Sequence, residues 1–123
     1  MSVNNTALLF NLAMQGFLVN DGNIAQGASQ AAAIRINGDL IRVVGGAANS
    51  GLLLPSVLSC EAAWITFVVN DGPNAIKVYC APGENQNGVA NAALTIPAGQ
   101  AGVFSPILNS KGGTINWSSA VLA

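Results

Sequence analysis

Breaks come along this chain at short, regular intervals. From Ile24 onward, runs of Val, Ile, Leu and Ala alternate with Gly, Asn, Asp and Pro at roughly ten-residue spacing. Runs that short make strands rather than helices, because a stable helix needs a longer amphipathic stripe. Ala31–Ile36 and Asp39–Val44 flank Asn37-Gly38, the dipeptide suited to a two-residue type I′ hairpin turn. Ala62–Asn70 and Ala75–Cys80 flank Asp71-Gly72-Pro73-Asn74 and read as a second hairpin. In that hairpin Val69, Phe67 and Ile65 would face Ile76, Val78 and Cys80. Gly51–Leu54 stops at Pro55, as a strand end does. Further strands are expected at Leu94–Ile96, Gly102–Phe104 and Thr114–Trp117, with turns at residues 82–88, 97–100 and 109–113. The expected fold is therefore all-β, an antiparallel β-sandwich or jelly-roll-like barrel.

Residues 1–23 stand apart. Asn5 or Thr6 could cap a short helix over Ala7–Met14 that ends at Gly16, or the same residues could form an arm laid on a neighbour. Asp21-Gly22-Asn23 reads as a turn. The expected organisation is an arm or short helix at 1–23 and one β domain at 24–123. The apolar patch in this arm is interrupted by Asn11, Gln15 and Gly16, too broken to span a bilayer. No Lys or Arg precedes Arg35, so the basic region of a secretory signal is lacking. The expectation is a chain that folds in a cytoplasm.

Chemistry-bearing residues are scarce. The chain has no histidine, and only 7% of its residues are charged, against about a quarter in ordinary domains. With 51% hydrophobic residues, its surface must rely on Asn, Ser, Gln, Gly and Ala. Either much of that surface is covered in an assembly, the preferred reading, or the chain faces conditions in which a neutral polar surface suffices. Net charge is −1, which offers nothing to nucleic acid or to an anionic membrane. Asp39, Asp71 and Glu84 sit in or beside turns, where carboxylates usually accept backbone N–H groups. No D-x-D-x-D run offers a calcium site, and no Gly-Lys-Ser/Thr follows Gly45-Gly46 or Gly112-Gly113. A cysteine nucleophile would lack a histidine base. No catalytic residue, cofactor or metal is expected. Cys60 and Cys80 are either two buried thiols or a bridge, within or between subunits.

Three segments carry a resemblance. The first runs from Ile34 to Gly51-Leu52-Leu53-Leu54-Pro55. The second is Phe67-Val68-Val69-Asn70, a turn, then Ile76-Lys77-Val78-Tyr79 with Gly83 and Asn87-Gly88. The third is Ala90-Asn91-Ala92, Leu94–Gly99, Val103-Phe104 and Asn116-Trp117. This order, over about Gln26 to Trp117, resembles small β-rich structural proteins and modules of tailed bacteriophages. Cys80 stands where such modules commonly have Pro, and Ser118-Ser119 follow Trp117 where an aromatic residue is usual.

The resemblance implies a non-enzymatic virion component, often a homotrimer, assembled in the host cytoplasm. A chain of this size fits a head decoration (cement) protein that docks on the major capsid protein and stabilises the head. The alternatives are a receptor- or glycan-binding fibre or tail module, and a cellular β-sandwich adhesion or scaffold domain. Phe10, Phe17, Trp64, Tyr79 and Trp117 are the candidate interface residues, with the core as the competing place for the aromatics.

Overall fold

The computed structural model describes residues 18–60, 65–108 and 115–122. Most of the expected arm or short helix lies outside these residues, as do Phe10, Phe17 and Trp64. Eleven strands are described: β1 (Val19–Ile24), β2 (Ile34–Arg35), β3 (Leu40–Gly45), β4 (Ser50–Leu53), β5 (Thr66–Asn70), β6 (Ile76–Tyr79), β7 (Asn85–Gln86), β8 (Val89–Ala90), β9 (Ala93–Ile96), β10 (Ala101–Leu108) and β11 (Ile115–Leu122). The only described helical pieces are two 3-10 turns, at Gln30–Ala32 and Val57–Ser59. The fold is all-β. The first sheet has the order β1-β3-β5-β10-β11-β7-β8 and the second β2-β4-β6-β9.

The pairing is mixed rather than antiparallel throughout. β1, β3 and β5 are parallel to one another in the first sheet. β2, β4 and β6 are parallel in the second. The first six strands thus alternate between sheets, each connection arching across the core, and successive arches stack in register. Val19, Leu40 and Phe67 are neighbours on one side of the stack; Ile34, Leu52 and Val78 are neighbours on the other.

Both expected hairpins are therefore arches. At residues 37–38, Gly38 has φ +140° and Asn37 is not in the left-handed region, so the type I′ turn does not form. The residues around Gly72-Pro73 likewise pass from β5 in one sheet to β6 in the other. The expected pairing of Phe67 with Val78 and Val69 with Ile76 does not form: it is Val68 that joins Val78 and Ile76 in the sandwich core, while Phe67 and Val69 take the alternate, outward positions of β5. The Asp21-Gly22-Asn23 turn is also absent as such. These residues lie within β1, whose register against β3 shifts on either side of Asn23. The type I′ geometry appears instead at Asn87 (φ 52°) and Gly88 (φ 84°), which join β7 to β8. Pro97–Gln100 closes a turn through the bond from Gln100 N–H to Pro97 O, with Gly99 at φ 78°.

The antiparallel half closes the stack. β10 pairs with β5 on one side and β11 on the other, and β9 pairs with β6. Ile41, Val43, Val68, Phe104 and Trp117 of the first sheet pack against Leu52, Ile76, Val78 and Ile96 of the second. Two buried amides tie the layers together. Asn70 Nδ2 donates to Ile96 O (3.0 Å) across the core and to Asn74 O (2.9 Å), while its Oδ1 accepts Gly72 N–H (3.1 Å). Gln86 Nε2 donates to Val78 O (3.1 Å) and Ala92 O (2.9 Å), and its Oε1 accepts from Ser119 Oγ (2.7 Å). Among the described residues, every buried side-chain N or O has a hydrogen-bond partner.

Gly27 holds the first arch against β4, its carbonyl accepting Gly51 N–H at 3.0 Å. It has φ +85°, and a Cβ there would lie 2.3 Å from the Ala32 carbonyl oxygen. A left-handed residue costs about 1–2 kcal/mol, and relief of the clash adds a similar amount. Gly27→Ala should therefore lower unfolding free energy by about 2–4 kcal/mol. Denaturant titration checks this, and a loss below about 1 kcal/mol would contradict the geometry.

Candidate interaction surface

Trp117 belongs to the interior, not to an interface. Its position on β11 faces Pro106 of β10 and Gln86 of β7, and the residue is 0% exposed. Its indole Nε1–H donates to Glu84 Oε1 at 3.3 Å. Glu84 is buried as well, and its carboxylate accepts from Ser56 Oγ (2.7 Å) and from Val57 N–H (3.1 and 3.2 Å). The expectation that Glu84 receives backbone N–H groups holds, but the donor lies on a distant segment. This carboxylate anchors the 3-10 turn at Val57–Ser59 to the end of the core. Tyr79 is half-buried on the outer face of the second sheet, where a Cβ on Gly51 would lie 3.1 Å from its ring.

Both cysteines are free thiols. Cys60 Sγ–H donates to Ser56 O (3.5 Å), and Cys80 Sγ approaches Glu84 O (3.3 Å) and Ala92 O (3.4 Å). Burial pushes both thiols up, and the negative charge of Glu84 acts in the same direction. A thiol raised on folding contributes stability that is fully present below its unfolded value, about 8.5. That contribution is lost as pH rises through the folded value. Melting temperature should therefore fall between neutral pH and pH about 10. The fall should be smaller in Cys80→Ala when both are followed by circular dichroism. An equal fall in the two proteins would contradict this origin.

The remaining carboxylates are dispersed. Asp39 Oδ2 accepts Leu18 N–H at 2.7 Å. Arg42 is clamped: Nε donates to Asp71 Oδ2 (2.6 Å) and Nη1 to Asp21 Oδ1 (3.1 Å). These two partners raise the guanidinium pKa, Asp71 the more. Asp21 and Asp71 come from the Val-Asn-Asp-Gly string that occurs at 19–22 and again at 69–72. The repeat brings a carboxylate to Arg42 from β1 on one side of β3 and from the residue that follows β5 on the other. No group of three or more His, Cys, Asp or Glu side chains among the described residues is placed to hold a metal ion. A cleft of about 300 Å³ is lined by Leu18, Asn37, Gly38, Asp39, Pro55, Ser59 and Cys60. No described helix is long and apolar enough to cross a membrane.

The outer faces of the two sheets differ sharply. Alternation sends Arg35, Lys77 and Thr95 to the outside of the second sheet. On the first sheet the outward rows are Val19–Leu40–Phe67–Val103–Ala120 and Arg42–Val69–Ala101–Leu122. Ser105 and Ile107 extend the same face, and Ile65 immediately precedes β5. Leu40 and Val69 are already buried, 1% and 4% exposed. Ile65, Ile107 and Leu122 remain 44%, 45% and 40% exposed. The β5–β10–β11 part of this face carries no charged residue. Arg42, on the β3 side, has its charge engaged within the chain. A sheet face of this kind is the surface on the described molecule best suited to bury against another protein.

Comparison with models of protein families, with curated proteins and with solved structures found no match.

Proposed function

We propose that this protein is a non-enzymatic structural component of a tailed-phage virion, a decoration protein that binds the capsid lattice and stabilises the head. The observation that carries the proposal is the uncharged β5–β10–β11 part of the first sheet's outer face, on a chain with only four basic and five acidic residues. A surface of that kind suits permanent cover in an assembly. The phage-like order of turns and strands supports the virion as that assembly. The mechanism is mechanical: many weak contacts, repeated by a homotrimer across a lattice, add through multivalency. The arched body, cross-tied by Asn70, Gln86 and Glu84, would supply the stiffness.

Quantitative mass spectrometry of purified virions tests this. A copy number comparable with that of the major capsid protein is expected. Absence from virions would overturn the proposal. A few copies per particle would instead favour the fibre or tail module, and binding to cell-surface polysaccharide would then be the next assay.

A further inference from the structure

We infer that Asn37 is a site of spontaneous chemical modification, at which the folded chain converts its own asparagine to aspartate and isoaspartate. The sequence holds two Asn-Gly pairs, Asn37-Gly38 and Asn87-Gly88. Glycine favours this reaction because, with no Cβ, its backbone nitrogen can reach the preceding side chain. The Gly38 nitrogen attacks Asn37 Cγ. A Cγ–N bond forms, the Cγ–Nδ2 bond breaks, and ammonia leaves with the proton that the Gly38 N–H gives up. Water then opens the resulting succinimide. Opening at Cγ gives aspartate. Opening at the backbone carbonyl gives isoaspartate, whose main chain runs through the former side chain.

The structure separates the two pairs. Both asparagines are exposed, so access does not decide between them. Asn87 is held: Nδ2 donates to Ser119 O (3.1 Å) and Ser119 Oγ (3.1 Å), and Oδ1 accepts Ser119 N–H (2.9 Å). The nitrogen that would attack it, Gly88 N–H, donates to Asn116 Oδ1 (3.3 Å). At Asn37 the backbone carbonyl accepts from Asn20 Nδ2 (3.1 Å), but among the described residues nothing bonds the side-chain amide or the Gly38 N–H. The Asn87 amide must break its bonds before it can turn, which should slow the reaction there by roughly ten-fold or more. The products fall at a point that matters to the fold. The Asn37 carbonyl ties this arch to β1, and the Gly38 carbonyl, accepting Thr66 Oγ1 (2.8 Å), ties it to β5. Isoaspartate lengthens the backbone between those two anchors. Either product sets a second carboxylate beside Asp39 on the cleft that both residues line.

Timed incubation of the purified chain in mildly alkaline, heavy-oxygen water tests the inference, with the two Asn-Gly peptides read by mass spectrometry after proteolysis. In the folded protein the amide-to-acid mass gain and the oxygen label are expected at Asn37 at roughly ten-fold or more the level at Asn87. In guanidinium chloride the difference should shrink, because the bonds that hold Asn87 are gone. Asn37→Gln, whose longer side chain does not close the five-membered ring, should lose the acidic species seen by ion exchange and keep its melting temperature. Conversion at Asn87 equal to or faster than at Asn37 in the folded chain would overturn the inference. So would an Asn37 that stays an amide while folded and converts only in denaturant. A ratio unchanged by denaturant would overturn it too, since flanking residues rather than the fold would then set the preference.

Discussion

Replacing Trp117 with alanine is expected to destabilise the fold by about 3–5 kcal/mol, the range for a large aromatic removed from a packed core. The side chain is fully buried among the inward residues of both sheets. Its loss opens a cavity beside Phe104 and Gln86's strand, and leaves Glu84 without one of its donors. The cost should be the same in dilute and concentrated protein, because every contact involved lies within one chain. A residue buried only between subunits would instead lose its effect on dilution. Trp117→Phe keeps most of the volume and removes the N–H, so about 1–2 kcal/mol is expected. Urea unfolding at two protein concentrations checks both values. A loss below about 1 kcal/mol for the alanine variant would contradict the core assignment.

The second large effect is at Glu84. Its carboxylate is the acceptor for Ser56 Oγ, Val57 N–H and Trp117 Nε1–H. All three are donors, which an ionised carboxylate satisfies and an amide does not. Glu84→Gln turns one oxygen into an NH2 that opposes a donor. Glu84→Ala leaves all three without an acceptor, at about 1–3 kcal/mol for each group that stays buried. Relief from burying a charge offsets part of this. A net loss of about 2–4 kcal/mol is expected for alanine, with glutamine intermediate. Because Glu84 and Trp117 share a hydrogen bond, Glu84→Ala combined with Trp117→Phe should cost less than the sum of the two. Strict additivity in thermal or urea unfolding would show that the 3.3 Å contact contributes nothing.

The strand content was legible because β-branched runs between turn residues admit little else. The connectivity was not. A hairpin and an arch both need two apolar runs joined by Gly, Asn or Pro. They differ in whether the runs hydrogen-bond side by side or face each other across a core. Asn37-Gly38 and Asn87-Gly88 carry the same dipeptide, yet only the second adopts positive φ at both residues. One signal did point to arches. Leu40-Ile41-Arg42-Val43-Val44 and Phe67-Val68-Val69 are near-continuous apolar runs, as strands of parallel sheets often are, rather than strict alternations. Glu84 beside Gly83 looks like an ordinary turn carboxylate. Its role depends on Ser56 and Val57, 28 and 27 residues away, and nothing local marks that distance. Arg42 was hidden similarly, since its two partners come from β1 and from the residue that follows β5, on either side of β3. The uncharged β5–β10–β11 part of the outer face emerged only with the register, although the scarcity of charge that makes it so is plain in the composition.

Native mass of the purified wild-type chain, measured by light scattering with and without reductant, tests the central claim most directly. Both thiols are free, and Cys80 is fully buried. Assembly through an apolar sheet face owes nothing to a disulfide, so an oligomer, expected to be a trimer, should persist in both conditions. An oligomer that appears only without reductant would make the cysteines the link between subunits. A monomer in both conditions would contradict self-assembly.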